Sequence, residues 1–160
     1  MKHIILMRHA KSDWSNGELT DHQRTLNTRG NLDAPLMATR IKGYGKLPEL
    51  MLVSDATRTR ETWQHITKPL GNVQTKFDRA LYMASPYTII EKLKEVDNLI
   101  DTVLLIAHNP GITEVFHILA NIDIDNVPTA GVGCIQLHTD KFSEIENCKK
   151  NLVYFTYPKG

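Results

Sequence analysis

Cysteine is scarce in this chain: Cys134 and Cys148 are the only two among 160 residues. Two thiols without metal-type spacing exclude a disulfide framework and a cysteine-based metal site, and both are expected to stay free and reduced. His3, His22, His65, His117 and His138 also lack ligand-like spacing, so neither a metal nor a cofactor is expected. No apolar run reaches the roughly 18 residues needed to cross a bilayer. Neither charge sign is in excess, with 19 Lys+Arg against 18 Asp+Glu. A net charge of +1 gives no electrostatic reason to expect nucleic acid or an anionic membrane as partner. Repeats, low-complexity tracts and linkers are missing too, so residues 1–160 are expected to form one domain. The first residues enter an apolar run without a charged leader region, and the expectation is a cytoplasmic monomer.

What the chain does have is a device used three times. The run His3-Ile4-Ile5-Leu6-Met7 ends in Arg8-His9. Leu50-Met51-Leu52-Val53-Ser54 runs into Asp55-Ala56-Thr57-Arg58, and Thr102 to Ala107 ends in His108-Asn109-Pro110-Gly111. Short, continuous apolar runs read as strands buried on both faces of a parallel sheet. Ligands of open α/β sheets bind just beyond the carboxyl ends of such strands.

Helical patterns alternate with these strands, which predicts βαβ units and a three-layer α/β fold with a mostly parallel sheet. The spacing predicts a helix from Arg29 to Tyr44, with Leu32, Leu36, Met37, Ile41 and Tyr44 on its apolar face and a kink or late start at Pro35. A second helix is expected from Thr57 to Pro69. A short strand should end at Lys76–Asp78, and Ser85-Pro86 should open a third helix buried through Ile89, Ile90, Leu93 and Val96. A fourth helix should follow Pro110-Gly111, with Val115, Phe116, Leu119 and Ile122 inward. Two last strands are expected, Val132–His138 and Leu152–Tyr157, joined by a hairpin-like stretch. The polar segment from Lys11 to Thr28 is long for a loop, and such loops are often functional.

Two arginines and two histidines at strand ends suit a phosphoryl group. The guanidinium fork donates paired hydrogen bonds to phosphate oxygens. A neutral imidazole can attack with one nitrogen while a hydrogen bond fixes the other. The helix that starts after His108 would add its free N–H groups and dipole.

These residues carry a resemblance. Ile5 to Trp14, with Arg24-Thr25-Leu26-Asn27-Thr28-Arg29-Gly30, Ser54 to Thr62, Leu81-Tyr82-x-Ala84 and Ile106 to Gly111, resembles the histidine phosphatase (phosphoglycerate mutase-like) superfamily, most closely its SixA-type phosphohistidine phosphatase branch. The resemblance implies a cofactor-free phosphatase whose nucleophile is His9, transiently phosphorylated. Arg8, Arg58 and His108 would bind the phosphoryl oxygens, with His108 stabilising the charge of the transition state. Ser15 lies where larger relatives often place an asparagine on the phosphate.

Three departures from the family pattern matter. Ala10 replaces the signature glycine, and Asp55 stands where proline is usual, close to the expected pocket rim. The acidic proton donor that many relatives carry after the third strand is missing, since Arg79 to Ser85 contains no carboxylate. An alkoxide leaving group needs such a donor, whereas a protonated phosphohistidine departs as neutral imidazole. The expected substrate is therefore phosphohistidine on a histidine phosphotransfer type of protein, reached through an open site. Two alternatives remain: a small-molecule phosphomonoesterase with Asp21 or Asp55 as acid, and a non-catalytic module that binds phosphorylated partners. Arg24 either lines the pocket mouth or anchors the loop. Arg60 is expected to face solvent or cap structure, and Trp14 and Trp63 to serve as packing residues rather than substrate platforms.

Overall fold

Along β1 (Lys2–Arg8) every residue through Met7 is buried. Alternation sends Ile4 and Leu6 into one core and Ile5 and Met7 into another. A strand that feeds two cores must lie inside a sheet covered on both faces. The computed structural model, which describes residues 1–160, shows this arrangement. β1, β2 (Leu50–Ser54), β3 (Gln74–Asp78), β4 (Thr102–Ala107), β5 (Val132–Leu137) and β6 (Lys150–Thr156) form one sheet in the order β3-β2-β4-β1-β5-β6. The β1–β4, β2–β4 and β2–β3 pairs are parallel, and β5 runs antiparallel to both of its neighbours.

The helices cover the sheet in pairs. α1 (Thr28–Tyr44) and α2 (Thr57–Leu70) supply Met37, Ile41, Ile66 and Leu70 to one core. α3 (Pro86–Lys94) and α4 (Gly111–Ala120) supply Ile89, Leu93, Val115 and Phe116 to the other. Each such side chain, fully buried, contributes about 1.5–3 kcal/mol of transfer free energy. Ser85 caps α3 by accepting from the Thr88 N–H at 3.2 Å, with Pro86 in the first turn, as expected. No helix is long and apolar enough to cross a membrane.

α1 departs from expectation in two respects. It runs without interruption through Pro35, capped by Asn27, whose side chain accepts from the Gly30 N–H at 2.8 Å. Its buried stripe is Gly30, Asp33, Ala34, Met37, Ala38 and Ile41, while Leu32 and Leu36 are exposed. The small residues face inward because α1 lies close to α2 and to the segment after β1. A Cβ on Gly30 would sit 2.2 Å from the Lys11 carbonyl oxygen. Tyr44 is half-exposed and stacks on Tyr154 at 3.8 Å.

The other differences lie at element ends. α4 stops at Ala120, so Ile122 packs against the core from beyond the helix. β5 ends at Leu137, and β6 spans Lys150–Thr156 instead of Leu152–Tyr157. Trp63 packs edge-on against Phe77 inside the structure, but Trp14 is 76% exposed, contrary to the packing role expected of it.

Candidate active site

β1 and β4 are adjacent and parallel, with Arg8 paired to Ala107, so the residues that follow them, His9 and His108, emerge side by side. Their rings lie 5.2 Å apart between centroids. β2 neighbours β4 and ends at Ser54, and α2 begins three residues later, which places Arg58 in its first turn above the same edge. The sequence-predicted quartet Arg8, His9, Arg58 and His108 therefore converges on one cavity of about 350 Å³. A second hollow, about 400 Å³, lies between β2, β3 and the end of α3, and none of these four residues lines it.

His9 is held from several sides. Its N–H donates to the Ala107 carbonyl and its carbonyl accepts from the Ala130 N–H. The next N–H, that of Ala10, donates to Thr62 Oγ1 at 3.0 Å, and this hydroxyl donates to the Arg58 carbonyl at 2.8 Å. Thr62 thus ties the end of β1 to α2 and fixes His9 relative to Arg58. The His9 Nδ1 lies 2.7 Å from the Ala10 carbonyl oxygen. A carbonyl can only accept, so Nδ1 carries the hydrogen and Nε2 keeps its lone pair. Arg58 Nε points to that nitrogen at 3.4 Å. Burial pushes the His9 pKa down to about 3, the nearby charges of Arg58, Arg8 and Arg24 add to the effect, and the Ala10 bond opposes it. The imidazole is neutral across the physiological range.

His108 is buried, with Nε2 2.8 Å from Ser54 Oγ, while its Nδ1 has no partner in the protein. Burial, then its neighbours His9 and Arg58, lowers its pKa to about 2. Arg8 donates Nη1 to the Val127 carbonyl at 2.9 Å and leaves its buried Nε unpaired. Unpaired buried donors are rare in folded proteins, and a ligand that accepts from them removes the penalty.

Several roles in the site differ from those that sequence reasoning assigned or were missed by it. Asp21 holds Arg58, whose Nη1 donates to the Asp21 carbonyl at 2.7 Å and whose Nη2 donates to its carboxylate at 3.1 Å. Tyr82 donates its hydroxyl to the same carboxylate. This bond, followed by the charges of Arg58 and Arg24, lowers the Asp21 pKa to about 2, so Asp21 is a fixed anion and no reservoir of protons. Arg24 is buried, donates to Asp21 and to Ser12 Oγ at 3.2 and 2.9 Å, and lines the cavity, so it both anchors the loop and stands in the pocket wall. Ser54, Thr62 and Tyr82 lay inside the quoted motifs but had no role assigned, because their roles arise only where separate elements meet.

Three expectations need correction. Ser15 does not line the cavity; it is exposed, its N–H turned back onto the Asp13 carboxylate at 2.7 Å, and Ser12 occupies the wall instead. Asp55 accepts from His22 Nε2 at 2.7 Å and lies outside the cavity wall. The second and third N–H groups of α4 are not free for an anion either. Ile112 donates to the His108 carbonyl, and Thr113 donates to Asn109 Oδ1. Arg60, as expected, is exposed and donates to the Asp55 carbonyl. No group of three His, Cys, Asp or Glu side chains is arranged to hold a metal ion.

The cavity wall thus carries Arg8, Lys11, Arg24 and Arg58 against the single carboxylate of Asp21, beside two neutral imidazoles. Such an excess of fork-shaped donors suits a tetrahedral oxyanion. The sequence pattern of the histidine phosphatase superfamily (branch 1) matches residues 4–82. An uncharacterized chloroplastic protein of Arabidopsis thaliana is 30% identical over 155 residues, covering 89% of this chain and 70% of that protein. A SixA protein of Agrobacterium tumefaciens superposes with a TM-score of 0.85 at 23% identity, covering 98% of both chains. The protein histidine phosphatase SixA complexed with tungstate superposes with a TM-score of 0.82 at 20% identity, over 98% of this chain and 97% of that one. The matched segment contains Arg8, His9, Asp21, Arg24 and Arg58. The chain belongs to the histidine phosphatase superfamily, and its fold is of the SixA, phosphoglycerate mutase-like type.

Proposed function

We propose that this protein is a phosphatase that removes the phosphoryl group from phosphohistidine on a partner protein, through a covalent intermediate on His9. The observation that carries the reading is the state of the groups around the cavity. The His9 nitrogen that keeps its lone pair, Nε2, accepts from Arg58 Nε at 3.4 Å, and the one carboxylate on the wall is locked in its ionised form.

In the first step the Nε2 lone pair attacks phosphorus while the bond from phosphorus to the substrate imidazole breaks. That substrate ring carries a proton on its other nitrogen, so it leaves as neutral imidazole and needs no acid from the protein. Arg8 and Arg58 bind the equatorial oxygens, where positioning and charge stabilisation supply most of the catalysis. With Ser54 donating its hydroxyl hydrogen to Nε2 of His108, Nδ1 of that ring becomes a donor to a phosphoryl oxygen. In the second step water attacks the phosphorus on His9. The Ala10 carbonyl has kept a hydrogen on Nδ1, so His9 also departs as a neutral ring and inorganic phosphate is released.

That a SixA neighbour of the same fold is complexed with tungstate, a tetrahedral oxyanion, supports a phosphoryl-type ligand. A phosphomonoesterase would require a proton donor, and neither Asp21 nor Asp55 is placed to serve as one. The test is incubation with protein carrying labelled phosphohistidine. Free phosphate and an acid-labile label on His9 are expected, and both should vanish in His9→Ala. Faster turnover of phosphoglycerates or sugar phosphates would replace this reading with the monoesterase. Tight phosphate binding without turnover would replace it with a binding module.

A further inference from the structure

Ten of the twelve residues lining the cavity are polar or charged, and the apolar pair, Trp14 and Met83, is exposed at the mouth. Neither contributes to a core: Trp14 is 76% and Met83 51% exposed. Burial in a core therefore does not account for the position of either side chain.

Trp14 is nevertheless held in place. The Arg24 guanidinium carbon lies 3.3 Å from the indole centroid, and Arg24 is itself fixed by its bonds to Asp21 and Ser12. One face of the indole is covered by a cation and the rest of the ring is open. Also lining the cavity, Met83 adopts φ +50°, a left-handed backbone conformation unfavourable for any residue that carries a Cβ. Its sulfur lies 3.8 Å from Arg58 Nη2. Strain of this kind persists where the surrounding structure over-determines it, and it gathers at ligand clamps. Thioether and indole are also the side chains best suited to hold a flat ring, one by its polarisable sulfur and the other by stacking.

We infer that Trp14 and Met83 form a ring-binding subsite at the mouth of the phosphoryl cavity, selecting substrates whose leaving group is a flat aromatic or imidazole ring. Displacement at phosphorus keeps the attacking and leaving atoms roughly in line. With His9 at the cavity floor, the leaving group extends outward past these two side chains. The inference rests on the phosphatase reading only for the seat of the phosphoryl group, and it makes the site selective for rings whatever the chemistry that follows.

Binding tests it independently of turnover. Phenylphosphonate and methylphosphonate present the same anion with and without a ring, and calorimetry gives their Kd ratio for each variant. The unaltered protein should prefer the phenyl compound about tenfold, within the range expected of one stacked ring. Trp14→Ala and Met83→Ala should bring the ratio towards unity, and Trp14→Phe should restore most of it. The same ratio measured in kcat/KM, phosphohistidine peptide against ringless phosphoramidate, should follow the binding ratio. A ratio near unity in the unaltered protein overturns the subsite. Equal losses on both compounds in Trp14→Ala overturn it as well, because Trp14 would then act only by steadying Arg24. Failure to hydrolyse phosphohistidine with the binding ratio intact would instead remove the proposed function and leave the subsite standing.

Discussion

His9 Nδ1 and the Ala10 carbonyl oxygen, 2.7 Å apart, determine which nitrogen of the imidazole faces the cavity. The backbone of the next residue thereby does what a carboxylate does in many histidine sites. A carbonyl carries no charge, so the low His9 pKa produced by burial and the arginines is not cancelled.

This has a consequence for acid stability. His9 and His108 titrate at about 3 and about 2 when folded, against 6.5 for an unperturbed imidazole. Below that ordinary value the unfolded chain binds protons that the folded one refuses, so stability falls as pH falls through the interval. Denaturant midpoints should decline steadily from about pH 7.5 to about pH 4.5, and His9→Asn should flatten the decline. A constant midpoint over that range would contradict the burial of two neutral rings.

Arg58→Lys should lower kcat/KM by about a hundredfold, because one ammonium cannot span the Asp21 carbonyl, its carboxylate and a phosphoryl oxygen as the fork does. Binding of inorganic tungstate should weaken in parallel. Retention of most of the activity in the lysine variant would mean that only the charge matters at this position.

Ser54→Ala should lower kcat by about tenfold and stability by about 1 kcal/mol, since Ser54 Oγ fixes His108 Nε2 inside the protein. Thermal melts and steady-state rates separate the two effects. Unchanged kcat would show that His108 keeps its orientation without the serine.

Gly30→Ala should cost about 1–3 kcal/mol, as expected for overpacking, because the added methyl meets the Lys11 backbone oxygen. The displaced segment follows His9 directly, so turnover should drop more than the loss of folded protein explains. A variant as stable as the parent would show that α1 shifts freely.

The sequence made the sheet legible because its central strands are buried on both faces, and their apolar runs admit little else. For the same reason the ends of β1 and β4, and the first turn of α2, could be read as bringing His9, His108 and Arg58 to one edge, where they line one cavity. The surface of α1 was less legible: an apolar pattern through Leu32 and Leu36 suggested one face, and contact with α2 and Lys11 selected the small residues of another. The segment from Lys11 to Thr28 was least legible. Its side chains are set by meetings with α2 and Tyr82, so Asp21 gave no local sign of its bond to Arg58, and Ser15 yielded its expected place to Ser12.

The cavity walls therefore have two origins. Arg8 ends, and the inner imidazoles directly follow, strands pinned at the middle of the sheet, while Trp14, Asp21 and Arg24 belong to one surface stretch. Surface stretches accept replacement far more readily than central strands. Descendants of this chain can consequently change their clientele by rewriting a short outer passage, with the reactive floor inherited intact.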